Sequence, residues 1–128
     1  MIILDTCTLI WLAVDQKKLS LKARKMIEQN PDSLFVSAIT AFEIAIRCRN
    51  GKLTLPLPPL EWFAQVVEFH GIKELFITSS IAIESAQLPK MHNDLSDRII
   101  IATAQANNMK ILTCDEMIAQ YKDTEVIW

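Results

Sequence analysis

Ile2-Ile3-Leu4-Asp5 opens a chain of 128 residues with three apolar side chains followed by a carboxylate. An apolar run this short, closed by a polar residue, reads as a buried strand and not as a helix. The pattern returns at Leu34-Phe35-Val36, at Leu75-Phe76-Ile77-Thr78 and at Lys110-Ile111-Leu112-Thr113, and Val126-Ile127-Trp128 offers a short fifth strand at an edge. Helical stretches lie between them. The first runs from Thr8 to Val14, and Ser20 caps a second through Gln29, stopped by Asn30-Pro31-Asp32. Ser37 opens a long amphipathic helix with Ile39, Phe42 and Ile46 at helical spacing, ended at Gly51. Leu60 to His70 and Ile81 to Leu88 follow, closed by Gly71 and Pro89. A helix starting at Asp94 is apolar nearly all round through Ile99-Ile100-Ile101-Ala102-Thr103-Ala104, which makes it central, and Asp115 to Tyr121 supplies a last one. Short apolar strands separated by helices predict a mostly parallel sheet of four to five strands covered on both faces. The expectation is a three-layer α/β domain spanning residues 1–128 as one unit.

Composition agrees and removes other classes. Hydrophobic residues make up 51% and charged residues 22%, which is too apolar for a disordered chain. No apolar run approaches the roughly 18–20 residues of a membrane span. Cys7, Cys48 and Cys114 are odd in number and scattered, so they suggest neither a disulfide framework nor a zinc cluster. The start of the chain shows no basic segment before an apolar one, and a cytoplasmic protein is expected. With only Gly51 and Gly71, no glycine-rich phosphate loop can be assembled. Net charge is −2, but residues 16–52 carry eight bases against three acids, and residues 53–128 carry five against ten. A basic third can bind phosphate, although a solvated helix face such as Leu21-Lys22-Ala23-Arg24-Lys25 explains the same pattern.

In a parallel α/β sheet the functional crevice lies beyond the carboxyl ends of the strands. Asp5 ends the first strand, Asp115 follows the fourth, Asp94 and Asp97 open the central helix, and Glu43 lies on the helix after the second strand. Carboxylates gathered on one sheet edge repel one another unless protons or a cation neutralise them. Oxygen ligands of this kind suit Mg²⁺ or Mn²⁺ and not zinc. Each acid also has an ordinary explanation. Asp5 and Asp115 can cap helices, Thr40 to Glu43 fits a capping box, and Asp94 to Asp97 resembles its acidic variant.

Several motifs occur together in a recognisable order: Ile3-Leu4-Asp5-Thr6; Val36-Ser37-Ala38-Ile39-Thr40-Ala41-Phe42-Glu43-Ile44-Ala45-Ile46; Gly51-Lys52-Leu53; His92-Asn93-Asp94-Leu95-Ser96-Asp97-Arg98; Thr113-Cys114-Asp115; and Val126-Ile127-Trp128. In this order and spacing the sequence resembles PIN-domain ribonucleases of the VapC toxin type across essentially its whole length. Leu95-Ser96 stand where that family has Pro-Phe. The resemblance implies a PIN-like, Rossmann-like fold and a Mg²⁺- or Mn²⁺-dependent endoribonuclease. It implies the toxin of a type II toxin–antitoxin pair, held inactive by a VapB-type antitoxin, and usually a homodimer. Carried over by position, the acidic site falls on Asp5, Glu43, Asp97 and Asp115, with Asp94 nearby. Asp5 and Asp97 are expected to hold the principal metal, Glu43 to help directly or through water, and Asp115 to complete the site or bind a second ion.

Arg47, Arg49, Lys52 and Arg98 are candidate phosphate contacts, with surface solubility or an acidic partner as the plainer explanation. His92 reads as a loop hydrogen-bonder and His70 as structural. Cys7 and Cys114 read as small buried thiols, and Trp11 and Trp62 as core or interface anchors. Two other functions compete. One is a non-catalytic RNA- or partner-binding module on the same fold. The other is a phosphatase or phospho-acceptor domain with Asp5 as nucleophile, against which Cys7 stands where a second Asp is wanted.

Overall fold

The structure is a computed structural model that describes residues 1–128. Five strands form one sheet: β1 (Ile2–Leu4), β2 (Leu34–Ser37), β3 (Lys73–Leu75), β4 (Lys110–Leu112) and β5 (Val126–Ile127). Six helices accompany them: α1 (Thr6–Val14), α2 (Leu21–Gln29), α3 (Ala38–Arg49), α4 (Pro59–Phe69), α5 (Ser79–Gln87) and α6 (Leu95–Asn107). The sheet order is β3-β2-β1-β4-β5, and every pairing is parallel.

The alternation of side chains along a strand divides the core in two. Ile2 and Leu4 of β1, with Leu112 of β4, face α1, α2 and α4, where Leu9, Ala23, Ile27, Trp62 and Phe63 pack on them. Ile3 and Ile111 face the other way, onto Ile99, Ile100, Ile101, Ala102 and Ala104 of α6. That is why α6 is apolar nearly all round: Ile100, Ile101 and Ala102 have no exposed surface. The sheet is thus a middle layer with helices on both faces. None of the helices is long and apolar enough to cross a membrane.

Four elements differ from their sequence reading, the simplest being α5, which begins at Ser79 and not at Ile81. α1 begins at Thr6, two residues early, because Asp5 caps it by accepting the Thr8 N–H at 2.9 Å. The third strand is Lys73–Leu75, two residues earlier than the apolar run Leu75–Thr78. It is an edge strand paired only through Phe35↔Lys73, Val36↔Glu74 and Ser37↔Leu75, so it needs no apolar faces. Phe76 and Ile77 are left exposed, and Thr78 accepts the Ile81 N–H at 3.2 Å to cap α5. The helix expected over Asp115–Tyr121 is a single 3₁₀ turn at Ile118–Gln120. Asp115 makes an Asx turn instead, accepting from the Met117 N–H at 2.9 Å, and the backbone bonds there span three residues.

β1 leads to β2 and β3 on one side, whereas β4 and β5 lie on the other. The strand order therefore switches direction between β1 and β4, the place where such sheets open a crevice at their carboxyl ends.

Candidate active site

The register Leu4↔Leu112 aligns the residues that follow, Asp5 and Thr113. Asp5 is 5% exposed, and both of its carboxylate oxygens have donors: the Thr8 N–H on Oδ1 and the buried Thr113 hydroxyl on Oδ2. Thr113 Oγ1 also accepts the Asp115 N–H at 3.0 Å, so the start of the β4 loop is built onto Asp5. Burial pushes the Asp5 carboxyl above its ordinary range, the hydrogen bonds from Thr113 and Thr8 work against that, and the Glu43 charge adds to it.

A pocket of about 300 Å³ opens at this point, lined by Asp5, Thr6, Cys7, Glu43, Arg47, Asp94, Asp97, Cys114 and Asp115. All five acids singled out from the sequence therefore meet in one place, brought by β1, α3, the start of α6 and the loop after β4. Asp97 stands in the first turn of α6 and donates its N–H to Asp94 Oδ1, the N-cap, at 3.1 Å. Burial, then the charges of Asp94 and Asp5, raise the Asp97 carboxyl from an ordinary 3.8 to about 7, with His92 opposing and Glu43 adding. Crowding of this kind favours the protonated group, and a nearby cation would favour the ionised one.

Glu43 pairs with Arg47 one turn along α3 through Oε2. Its Oε1 is buried and has no hydrogen-bond partner. A buried carboxylate oxygen without a donor is costly unless something cationic reaches it. That orphaned atom, together with five carboxylates on one pocket, fits Mg²⁺ or Mn²⁺. The capping explanation holds for Asp5 and Asp94, whereas Asp115 closes an Asx turn and caps no helix. The capping box at Thr40 does not form: Ser37 caps α3 by accepting the Ile39 N–H, and the Thr40 hydroxyl lies 3.1 Å from that of Thr6. Glu43 is thereby free of a capping duty and available to the pocket.

The basic candidates separate. Arg47 lines the pocket, whereas Arg49 and Lys52 are exposed at and beyond the end of α3. Arg98 is engaged by the main chain. Its five N–H donors are directed at the carbonyls of Ser85, Ala86, Leu88, Pro89 and His92, so it ties the end of α5 and the following loop to α6. Leu95 and Ser96, the departure from the family pattern, form the first turn of α6, with Leu95 exposed and Ser96 buried.

His92 has a larger place than a loop residue. Its Nε2 lies 2.9 Å from Oδ2 of both Asp97 and Asp115. His92 opens one of the motifs singled out from the sequence and Thr113 opens another, but the sequence assigns His92 only a loop hydrogen bond and Thr113 no role, because both contacts join segments far apart in the chain. Cys7 is half-buried with Arg47 guanidinium nitrogens at 3.8 and 3.9 Å from Sγ, and Cys114 is exposed and not buried as expected. Burial and then the Asp5 charge raise both thiols, so neither is an activated nucleophile. Trp62 is buried in the core and Trp11 stacks at a tilt on Trp128 with centroids 5.8 Å apart.

Known proteins resemble this chain in sequence and in fold. The PIN domain family model matches residues 2–123. Ribonuclease VapC22 of Mycobacterium tuberculosis (strain ATCC 25618 / H37Rv) is 30% identical over 122 residues, covering 94% of this chain and 92% of the relative. Among solved structures, the DNA-bound VapBC from Salmonella typhimurium superposes with a TM-score of 0.70 at 18% identity, covering 98% of this chain and 96% of that one. VapBC2 from Rickettsia felis, bound to a promoter DNA fragment, gives 0.73 at 11% identity, covering 99% and 98%. The structural likenesses establish the fold, and the sequence matches establish descent: this chain belongs to the PIN-domain family, in its VapC branch.

Proposed function

We propose that the chain is a Mg²⁺- or Mn²⁺-dependent endoribonuclease that hydrolyses RNA phosphodiester bonds and acts, in the cytoplasm, as the toxin of a VapBC-type pair. The observation that carries this reading is the convergence of Asp5, Glu43, Asp94, Asp97 and Asp115 on one pocket in which a buried Glu43 oxygen lacks a donor. The similarity to Ribonuclease VapC22 of Mycobacterium tuberculosis supports the ribonuclease, and the likeness to the VapBC complexes supports the antitoxin.

Asp5 and Asp97 would hold the principal ion, Glu43 would reach it through Oε1 or a water, and Asp115 would complete the set. When bound, such an ion acidifies a water for attack and offsets charge on the phosphate oxygens. The protein's own part is orientation. Thr8 and Thr113 hold the Asp5 carboxylate in one rotamer. Arg47 pairs with Glu43 through Oε2 and leaves Oε1 without a partner, and Arg49 and Lys52 offer exposed positive charge to an RNA backbone.

The test is cleavage of RNA by the purified chain in Mn²⁺ or Mg²⁺. Cleavage that vanishes in Asp5→Asn and in excess chelator is expected; cleavage that survives either overturns the mechanism. Metal-independent RNA binding with no cleavage would mark the chain as a non-catalytic module instead.

A larger apolar groove, about 640 Å³ between α1, Pro56-Leu57 and α4, offers an antitoxin segment Leu12, Trp62, Val66 and Phe69. Phe69 is 85% exposed there, and Phe69→Asp is expected to weaken antitoxin capture without changing the melting temperature. A homodimer is expected as well, with exposed apolar side chains such as Phe42, Phe76 and Ile83 available for a second copy to cover, which sedimentation of the purified chain reads directly.

A further inference from the structure

Asp97 and Asp115 reach the pocket from different elements, the first turn of α6 and the loop after β4. His92 Nε2 stands between them, 2.9 Å from one Oδ2 of each. Which ring nitrogen bears the proton follows from the other contact of the ring. The Asp94 N–H is directed at Nδ1 at 3.3 Å, so Nδ1 accepts and the hydrogen-bond pattern assigns the proton to Nε2. An imidazole that ligates a metal through one nitrogen donates a proton from the other. Here the Asp94 N–H blocks that role, and Nε2–H donates to Asp115 Oδ2, while Asp97 Oδ2 packs 2.9 Å from the same nitrogen outside hydrogen-bond geometry.

The main chain of His92 is fixed as firmly as its ring. Its N–H donates to Tyr121 Oη at 2.9 Å, and its carbonyl accepts from Arg98 Nη1 at 3.1 Å. Tyr121 in turn donates to the Pro89 carbonyl at 3.0 Å. Tyr121 is 3% exposed, so this anchor belongs to the core beneath α6. The His92, Asp97 and Asp115 side chains are themselves mostly shielded, at 14%, 17% and 32% exposure.

We propose that His92 is a positioning residue: its Nε2–H, donated to Asp115 with the Asp97 carboxyl packed against the same nitrogen, holds the two side chains at the separation from which they bind a divalent ion. Asp115 Oδ2 has two lone pairs, so the donor occupies one and leaves the other for a cation, and Asp97 Oδ2 is not tied up by the ring. The inference rests on the metal-dependent reading above and adds a residue that is not itself a ligand.

The experiment compares the full-length wild type with His92→Ala and His92→Gln by calorimetric Mn²⁺ titration and by electron-spin-echo modulation of bound Mn²⁺. His92→Ala is expected to lose about 10-fold in Mn²⁺ affinity, the lower end of what outer-sphere partners of metal ligands contribute. His92→Gln, whose amide N–H can make part of the same bridge, is expected to recover some of the loss, and wild-type Mn²⁺ is expected to show no ¹⁴N coupling from a bound imidazole. Unchanged affinity in His92→Ala overturns the inference while leaving the nuclease reading standing. A ¹⁴N coupling lost on substitution also overturns it, by making His92 a ligand. If His92→Ala does not fold, His92→Gln carries the comparison, with a melting temperature in chelator as its control. A wild-type chain that takes up no Mn²⁺ overturns the metal reading itself, which is a different result from either.

Discussion

Thr113 Oγ1 donates to Asp5 Oδ2 across two strands whose residues are 108 positions apart in the chain. The hydroxyl has no exposed surface and carries a second bond, accepted from the Asp115 N–H. A single buried side chain therefore sets the orientation of one acid and the start of the loop that bears another. Thr113→Val keeps the shape and removes both bonds. It is expected to destabilise the fold by about 1–3 kcal/mol, the range for leaving a buried acceptor unpaired. Thr113→Ser is expected to retain most of the stability. Urea unfolding of the two variants against wild type checks this, and equal midpoints for all three would remove Thr113 from the site's framework.

Much of this molecule is legible in its sequence because strand burial and strand chemistry coincide. Ile2-Ile3-Leu4 and Lys110-Ile111-Leu112 are buried strands, and the acids that follow them, Asp5 and Asp115, emerge on the same edge. β3 was misplaced because Lys-Glu-Leu is an edge strand held by backbone pairing alone, while the more apolar Phe76 and Ile77 beside it stay exposed. Arg98 illustrates a different blind spot. A lone arginine beside a catalytic motif suggests phosphate, but its five donors meet carbonyls contributed by a loop whose path no periodicity encodes. His92 depends on that same loop, so its place could be seen only once Arg98 was.

Arg98 accordingly predicts a stability phenotype and not an RNA-binding one. Arg98→Met removes charged hydrogen bonds to the end of α5 and to Pro89 and His92. A loss of roughly 2–3 kcal/mol is expected, since a hydrogen bond to a charged group contributes about 1.5–3 kcal/mol and solvent replaces some of the others. Hydrogen exchange should accelerate over residues 85–92. The salt dependence of RNA binding should stay unchanged, and a reduced slope would return Arg98 to the phosphate contacts.

Asp97 makes the metal-free protein sensitive to pH. Its folded carboxyl titrates at about 7 against 3.8 when exposed, so between those values the folded chain holds a proton that the unfolded chain has released. Stability from this group therefore falls as pH rises from about 4 to 7 and is flat outside that window. Asp5, also raised by burial, adds with the same sign. In chelator the melting temperature is expected to be several degrees higher at pH 5.5 than at pH 8, after correction for the rest of the chain by Asp97→Asn, which should flatten the slope. An identical slope in Asp97→Asn would show that the crowding of carboxylates has no cost at this position.

Cation binding should reverse that cost, and Glu43 is the residue that reports it most cleanly. Its buried Oε1 has no donor, so in chelator Glu43→Gln trades an unsatisfied charged oxygen for an amide and weakens the pair with Arg47. These effects oppose one another, and the metal-free stability is expected to change by less than about 1 kcal/mol. The response to metal should change far more. A ligand that binds only the folded state at 100 times its dissociation constant adds about 2.7 kcal/mol. Wild type is therefore expected to gain several degrees in saturating Mn²⁺, and Glu43→Gln and Asp5→Asn to gain little. The comparison is read as a difference between two melting curves of one variant, so a general destabilisation cancels. An equal Mn²⁺-induced shift in wild type and Glu43→Gln would place the ion away from Oε1 and leave that oxygen's burial without a compensating partner.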